Sequence, residues 1–339
     1  MKNRIDLSKF DIRTDLIIDH DITNEQKEYR KINDNIGITT IRVDNNLSKE
    51  IHKKNGNYTT IEFIDITNHE DKIEIEKYLT QELSKFLDIL KIQDMDEGLI
   101  IGLGNRFSTP DSLGPKVIDK IMVTRHLFEL NTNVNKGIRS IAAISPGVMA
   151  NTGIETFDII DSIIKKIKPK FIIVIDALAS SSIDRINKTI QLTDTGIHPG
   201  SGVGNHRKEL SSSTLGIPVL SIGVPTVVES SIIVNDTINY IFKHISYLKG
   251  HYDTSKLVFR HNKNYINQIK NLNLTEQEKR ELSGILGLLP DEDKMSLINE
   301  VLGSLQYNMI VTPKEIDFLV DCLGTTIANA INKGLHSAL

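Results

Sequence analysis

The sequence predicts an α/β protein: a mainly parallel sheet sandwiched by helices, with β additions at the amino-terminal side and a helical carboxyl-terminal extension. Three observations carry this. Short, nearly all-apolar runs recur through the middle of the chain; stretches with apolar residues at helical spacing lie between them; and the texture changes at both ends.

Residues 1–15 are short, charged and without period. From residue 36, "IGITTIRV" and "YTTIEFIDI" alternate β-branched and polar residues around the turn-like "KKNGN", the pattern of half-buried strands. Glu70 to Leu90 places Ile73, Ile75, Tyr78, Leu79, Leu83, Phe86 and Leu87 near helical spacing. Four runs, 98–104, 138–145, 170–179 and 216–224, read as strands buried on both faces. "VIDKIMVTRHLFEL", "ETFDIIDSIIKKI" and "SSIIVNDTINYIFKHISYL" read as the helices between and after them. A polar, irregular tract over 251–275 is expected as a linker after an α/β domain of residues 16–250. Residues 276–339 are expected to be helical, with Thr312, Pro313 and Glu315 marking a helix start.

Composition narrows the function. The 339 residues carry 39% hydrophobic and 25% charged residues, an ordinary globular balance. Forty basic side chains stand against 44 acidic ones, for a net charge of −4 with no long basic block, so nucleic acid is not expected as a direct ligand. The single cysteine, Cys322, excludes an intrachain disulfide and a multi-thiolate zinc site, and it fits a reducing compartment. No secretory signal and no run of eighteen apolar residues is present, so a cytoplasmic protein without membrane partners is expected.

Sheets of this kind place their sites beyond the carboxyl ends of the strands. Three polar clusters fall there. The first, "GLGNRFSTPDSLGP", has Gly114 and Pro115 at a helix entry, which leaves Asp111 in the loop before it, either over the sheet edge or capping the helix. The second, "FIIVIDALASSS", sets one ionisable group, Asp176, at the end of an apolar strand. A carboxylate there loses hydration and must be paired, hydrogen-bonded or protonated. The third, "TDTGIHPGSGVGN", holds Asp194, read as an Asx-type turn residue, and His198, equally a structural hydrogen-bonding residue or a ligand or base.

The glycines do not make a phosphate cradle. After Gly200 and Gly202 the dinucleotide fingerprint needs glycine where Asn205 stands, and after Gly102 and Gly104 it needs glycine where Phe107 stands. Neither a P-loop nor a G-x-S-x-G elbow occurs. What remains is a pair of carboxylates on neighbouring strand ends. One holding a proton while the other takes one from water is the requirement for hydrolysing an amide. With His198 added, the same residues could ligate a divalent metal.

"GLGN", "TPDSLGP", "SPGVMANTGIET", "IDALAS", "TIQLTDTGIHPGSGVGNHRKELS", "LGIPVLSIGVPTVV" and "MIVTPKEID", in this order along nearly the whole chain, resemble the germination proteases of spore-forming bacteria. The resemblance implies a fold similar to the hydrogenase-maturation peptidases, and an endopeptidase that degrades small acid-soluble spore proteins in the spore core. It also implies a homotetramer, made as a zymogen, that removes its own prosegment, here residues 1–15, by a cut between Asp15 and Leu16. The family's catalytic aspartates correspond to Asp111 and Asp176, and no cofactor is implied. Gly104, Asn105, Asp194, His198, Gly200 and Gly202 are expected to support or wall the cleft. One departure stands out: after "GLGN" the family carries an aromatic residue and an asparagine, whereas this chain has Arg106 and Phe107, so packing or substrate preference at that loop should differ.

Two rival readings remain: a metal-dependent peptidase of the hydrogenase-maturation type with Asp111, Asp176 and His198 as ligands, and a non-catalytic peptide-binding or assembly module.

Overall fold

The computed structural model describes residues 15–20, 22, 26–130, 134–198, 208–251, 272, 275–284, 289–303 and 309–338. The linker expected over 251–275 falls almost wholly outside them, as do Gly200 and Gly202.

The described residues form two compact units. The larger takes in those of Arg13–Ser180, Asp184–Val227 and Thr312–Leu339 and is built on one sheet of spatial order β1-β2-β3-β7-β8-β6-β4-β5. In chain order these strands are β1 (Lys27–Lys31), β2 (Ile36–Val43), β3 (Gly56–Phe63), β4 (Gly98–Gly102), β5 (Ile141–Ile144), β6 (Phe171–Ser180), β7 (Thr189–Thr193) and β8 (Val219–Glu229). β4 runs parallel to both β5 and β6, with Gly98 opposite Ile141 and Phe171. From β8 outward the pairing is antiparallel: β8 with β7, β7 with β3, β3 with β2, and β2 with β1. The sheet is therefore mixed rather than mainly parallel: parallel over β5, β4 and β6, with the amino-terminal strands joined to it antiparallel through β7.

Helices in chain order are α1 (Asn45–Ile51), α2 (His69–Ile89), α3 (Leu113–Ile118), α4 (Arg125–Glu129), α5 (Met149–Thr152), α6 (Thr156–Ile167), α7 (Ser212–Leu215), α8 (Ser230–His251), α9 (Glu276–Ser283), α10 (Asp291–Gly303) and α11 (Ile316–Leu335). Asn68 caps α2 by accepting the N–H groups of Glu70 and Asp71, and Asp44 caps α1 through Asn46 and Leu47. β6 shows why its run is apolar throughout. Ile173 and Ile175 join one core with α2, α3 and α11, while Ile172 and Val174 join another with Ile160 and Ile164 of α6. Each such side chain contributes roughly 1.5–3 kcal/mol relative to exposure, so both faces need their helices.

The segment expected as one helix over 117–130 is broken after Ile118. Thr124 is drawn to the next strand instead: its N–H donates to Ile141 O at 3.0 Å, its hydroxyl donates to Arg139 O, and that hydroxyl accepts Ile141 N–H at 2.9 Å. The expected capping box at Thr312 also fails. α11 begins at Ile316, and the Thr312 hydroxyl donates to Thr226 O at 2.8 Å.

The smaller unit contains Ser181–Ile183 and Val228–Val311, with α8, α9, α10 and a short strand β9 (Ile310–Val311) that pairs the last two residues of β8. Here a capping box does form: Thr275 Oγ1 accepts Glu278 N–H, and Glu278 accepts Thr275 N–H at 2.8 Å.

Candidate active site

β4 ends at Gly102, opposite Ile175, while β6 runs on to Ser180. Leu103 N–H still donates to Ile175 O at 2.8 Å, and Asp176 is the next residue on β6. Asp176 is buried and follows Ile172 and Val174 in the strand's alternation, on the face covered by α6. One of its oxygens, Oδ1, accepts the N–H of Ala177 at 2.9 Å.

Asp111 ends a short 3-10 turn (Thr109–Asp111) between β4 and α3, and this turn packs against β6. Its Oδ2 accepts Asn105 N–H at 2.8 Å, so carboxylate and "GLGN" loop hold each other. The approach needs glycine. Gly104 has φ +108°, and a Cβ there would lie 2.0 Å from Asp111 O. Gly114 is required by closeness alone, since a Cβ on it would meet Leu103 O at 2.2 Å. The first two expected clusters thus fold over the same end of the sheet, on neighbouring strands that lie ~5 Å apart.

Asn105 Oδ1 accepts two donors: Phe107 N–H at 3.0 Å and Asn151 Nδ2 at 2.9 Å, from the loop and short helix after β5. Arg106 turns away to a bidentate pair with Asp119, at 2.6 and 2.9 Å, and Phe107 stands 86% exposed. Substituting Arg106 and Phe107 therefore leaves the Asn105–Asp111 contact intact.

The third cluster does something else. Asp194 makes no local Asx turn; its Oδ1 accepts Asn57 N–H at 2.8 Å and its Oδ2 accepts Asn57 Nδ2 at 2.6 Å, tying the end of β7 to the start of β3. The local turn bond comes from Thr193, whose hydroxyl accepts Thr195 N–H at 3.2 Å. His198 is exposed and faces Glu209 at 3.5 Å, and Glu209 also binds Lys54. Ile197 and Leu210 close the loop by an antiparallel bridge of two 2.9 Å bonds. Among the described residues, no group of three or more histidine, cysteine, aspartate or glutamate side chains is arranged to hold a metal ion, so Asp111, Asp176 and His198 do not form such a set.

The residues about the expected cut are tightly held. Asp15 N–H donates to Ala179 O at 3.2 Å, and Ala179 N–H donates to Asp15 Oδ2 at 3.0 Å. Leu16 and Ile17 are fully buried against Ile41, Leu47, Tyr58 and Leu178. Burial pulls the nearby Lys53 ammonium below its ordinary range, opposed by the carboxylates of Asp15 and Asp19. Sequence reading missed Gln191, a buried amide between Ile190 and Leu192 in "TIQLT". Its polarity inside a strand was the available signal, and it binds Ile17 N–H and Asp15 O.

A family model described as germination protease matches residues 16–339. Among curated relatives, the germination protease of Geobacillus sp. (strain WCH70) is 43% identical over 365 residues, covering 100% of this chain and 97% of the relative. Those of Bacillus cereus (strain AH187) and Priestia megaterium (strain ATCC 12872 / QMB1551) are each 42% identical, covering 99% of this chain and 96% of the relative. A solved [NiFe] hydrogenase maturation protease from Thermococcus kodakarensis KOD1 is 19% identical, with TM-score 0.27, over 41% of this chain and 80% of that one. Matches of this extent to proteins named germination protease, on an α/β sheet, define a peptidase. The chain belongs to the germination protease family. No helix among the described residues is long and apolar enough to cross a membrane.

Proposed function

We propose that this chain is an endopeptidase that hydrolyses small acid-soluble spore proteins during germination, using Asp111 and Asp176 to activate water. The observation that carries the reading is the packing of the Asp111 turn against β6 where Asp176 lies buried. Two carboxyl groups brought close cannot both ionise cheaply, so one keeps its proton. The ionised one takes a proton from water as the water oxygen joins the peptide carbonyl carbon. The protonated one then gives its proton to the leaving nitrogen as the carbon–nitrogen bond breaks, and the two exchange roles.

The chain is made as a zymogen that removes residues 1–15 by the same chemistry and assembles as a homotetramer in the spore core. The start of the family match at Leu16 supports that boundary. Asp111→Asn and Asp176→Asn should each reduce both cleavages by ~10³-fold or more while circular dichroism and melting stay those of the wild type. A folded variant retaining more than a tenth of the activity would refute the pair. Adding a chelator to the wild-type assay separates the metal-dependent alternative, whose activity would be lost.

A further inference from the structure

We infer that Gln191 is the positioning residue for self-processing: its side-chain amide spans the bond between Asp15 and Leu16 and fixes which peptide is presented for cleavage. This rests on the reading that residues 1–15 are removed at that bond.

The geometry is that of a one-residue strand pairing made by a side chain. Leu16 is extended, with φ −81° and ψ 133°. Gln191 Nε2 donates to Asp15 O at 3.3 Å, and Gln191 Oε1 accepts Ile17 N–H at 2.7 Å. Both contacts flank Leu16 in the way an adjoining strand would, which is how extended peptides are commonly gripped. On its other side Asp15 is held by the N–H and C=O of Ala179. Ala179 lies three residues beyond Asp176 on the same strand, a separation of about 10 Å along β6. Leu178, between them, packs in the same apolar cluster as Leu16 and Ile17.

A buried glutamine in the middle of a sheet is costly unless both ends of its amide are satisfied, and here residues 15–17 satisfy both. The contact also falls on an atom that changes during the reaction. As water adds to the Asp15 carbonyl carbon, electron density moves onto the Asp15 oxygen; when the bond to Leu16 N breaks, that nitrogen leaves with a proton. The apolar cluster fixes Leu16 and Ile17 in place, and Gln191 supplies the register.

The test uses the full-length chain. Gln191→Met keeps the volume and removes both bonds; Gln191→Glu keeps an acceptor for Ile17 N–H and replaces the donor. The rate of loss of residues 1–15 is followed by mass spectrometry, which also reports the new amino terminus, and cleavage of an added spore protein is measured once processing is complete. Wild type should end uniformly at Leu16. Gln191→Met should process at least 10-fold more slowly, with ends spread over neighbouring residues, and Gln191→Glu should be slower still. Processing of a folded Gln191→Met variant within about 2-fold of wild type, ending at Leu16 alone, would overturn the inference while leaving the peptidase reading intact. Equal slowing of self-processing and of cleavage of the added protein, with the cut still confined to Leu16, would assign Gln191 to the fold and also overturn it. A wild type that cleaves the added protein yet keeps residues 1–15 would remove the processing reading, and this inference with it.

Discussion

Two aspartates, Asp176 within β6 in the parallel half of the sheet and Asp194 just past β7 in the antiparallel half, have opposite fates. Asp176 lies within β6, just past the level where its neighbour β4 stops, and the turn that ends in Asp111 packs against that strand. Asp194 follows a strand whose neighbour, β3, begins at that level, so both its oxygens are consumed by Asn57. The difference lies in strand direction. Parallel neighbours leave their carboxyl ends together and open to loops, whereas antiparallel neighbours bring one chain's beginning to the other's end, where backbone N–H groups are waiting.

That contrast can be broken, beginning with the strongest blow. The Asp111→Asn and Asp176→Asn variants stand at the top, with activity lost and fold kept. Gly104→Ala comes next. A methyl 2.0 Å from Asp111 O, at φ +108°, should displace the turn and lower stability by roughly 2–4 kcal/mol in denaturant titration, with activity lost even in the folded fraction. Asp194→Ala should be milder and purely structural. Two bonds to Asn57 disappear, costing about 1–3 kcal/mol, while kcat at a permissive temperature remains near wild type; a kcat loss exceeding 10-fold would put Asp194 in the site.

A pH experiment sharpens the parallel half. Arg139 N–H donates to buried His336 Nδ1 at 3.1 Å, just before β5, and burial holds the His336 imidazole below its ordinary value. The unfolded chain then binds the proton more readily. This contribution to stability is complete above about pH 6.5 and is lost as pH falls below it. Melting should drop as pH falls through about 6.5, and less so in His336→Gln; an unchanged drop in that variant would assign the effect elsewhere, for example to His20, whose imidazole burial also lowers. Smallest of all is His198→Ala: an exposed ring facing Glu209 at 3.5 Å should cost under about 0.5 kcal/mol and leave cleavage intact. Loss of cleavage without unfolding would return the general-base and ligand readings of His198.

Much of this was legible in the residues. "IGITTIRV" is β2 residue for residue, and the helix expected over 155–167 is α6 one residue in. Local pattern suffices where a segment's period matches the surface it buries. It fails where a distant partner decides. β1, "KEYRK", is an exposed edge strand with no apolar alternation to see. The break before α4 is set by Thr124's bonds to Arg139 and Ile141, and the fate of Thr312 by Thr226. Asp194's partner lies 137 residues away. Asp176 could be singled out because a lone acid in an apolar run is visible in one dimension, although β6 runs past it to Ser180 rather than ending there. Gln191's hold on residues 15–17 was not, since a lone amide gives no hint of what it faces.

The pairing of β3 with β7 has a consequence for synthesis. β1, β2 and β3 leave the ribosome early as a local meander, but the open edge of β3 is sealed only when residues 189–193 arrive, after the whole parallel centre has been made. Until then it presents unpaired N–H and C=O groups able to recruit a strand from another nascent chain. The ladder between β3 and β7, fastened at one end by the two bonds from Asn57 to Asp194, therefore closes an edge that stays open through much of the synthesis of the polypeptide.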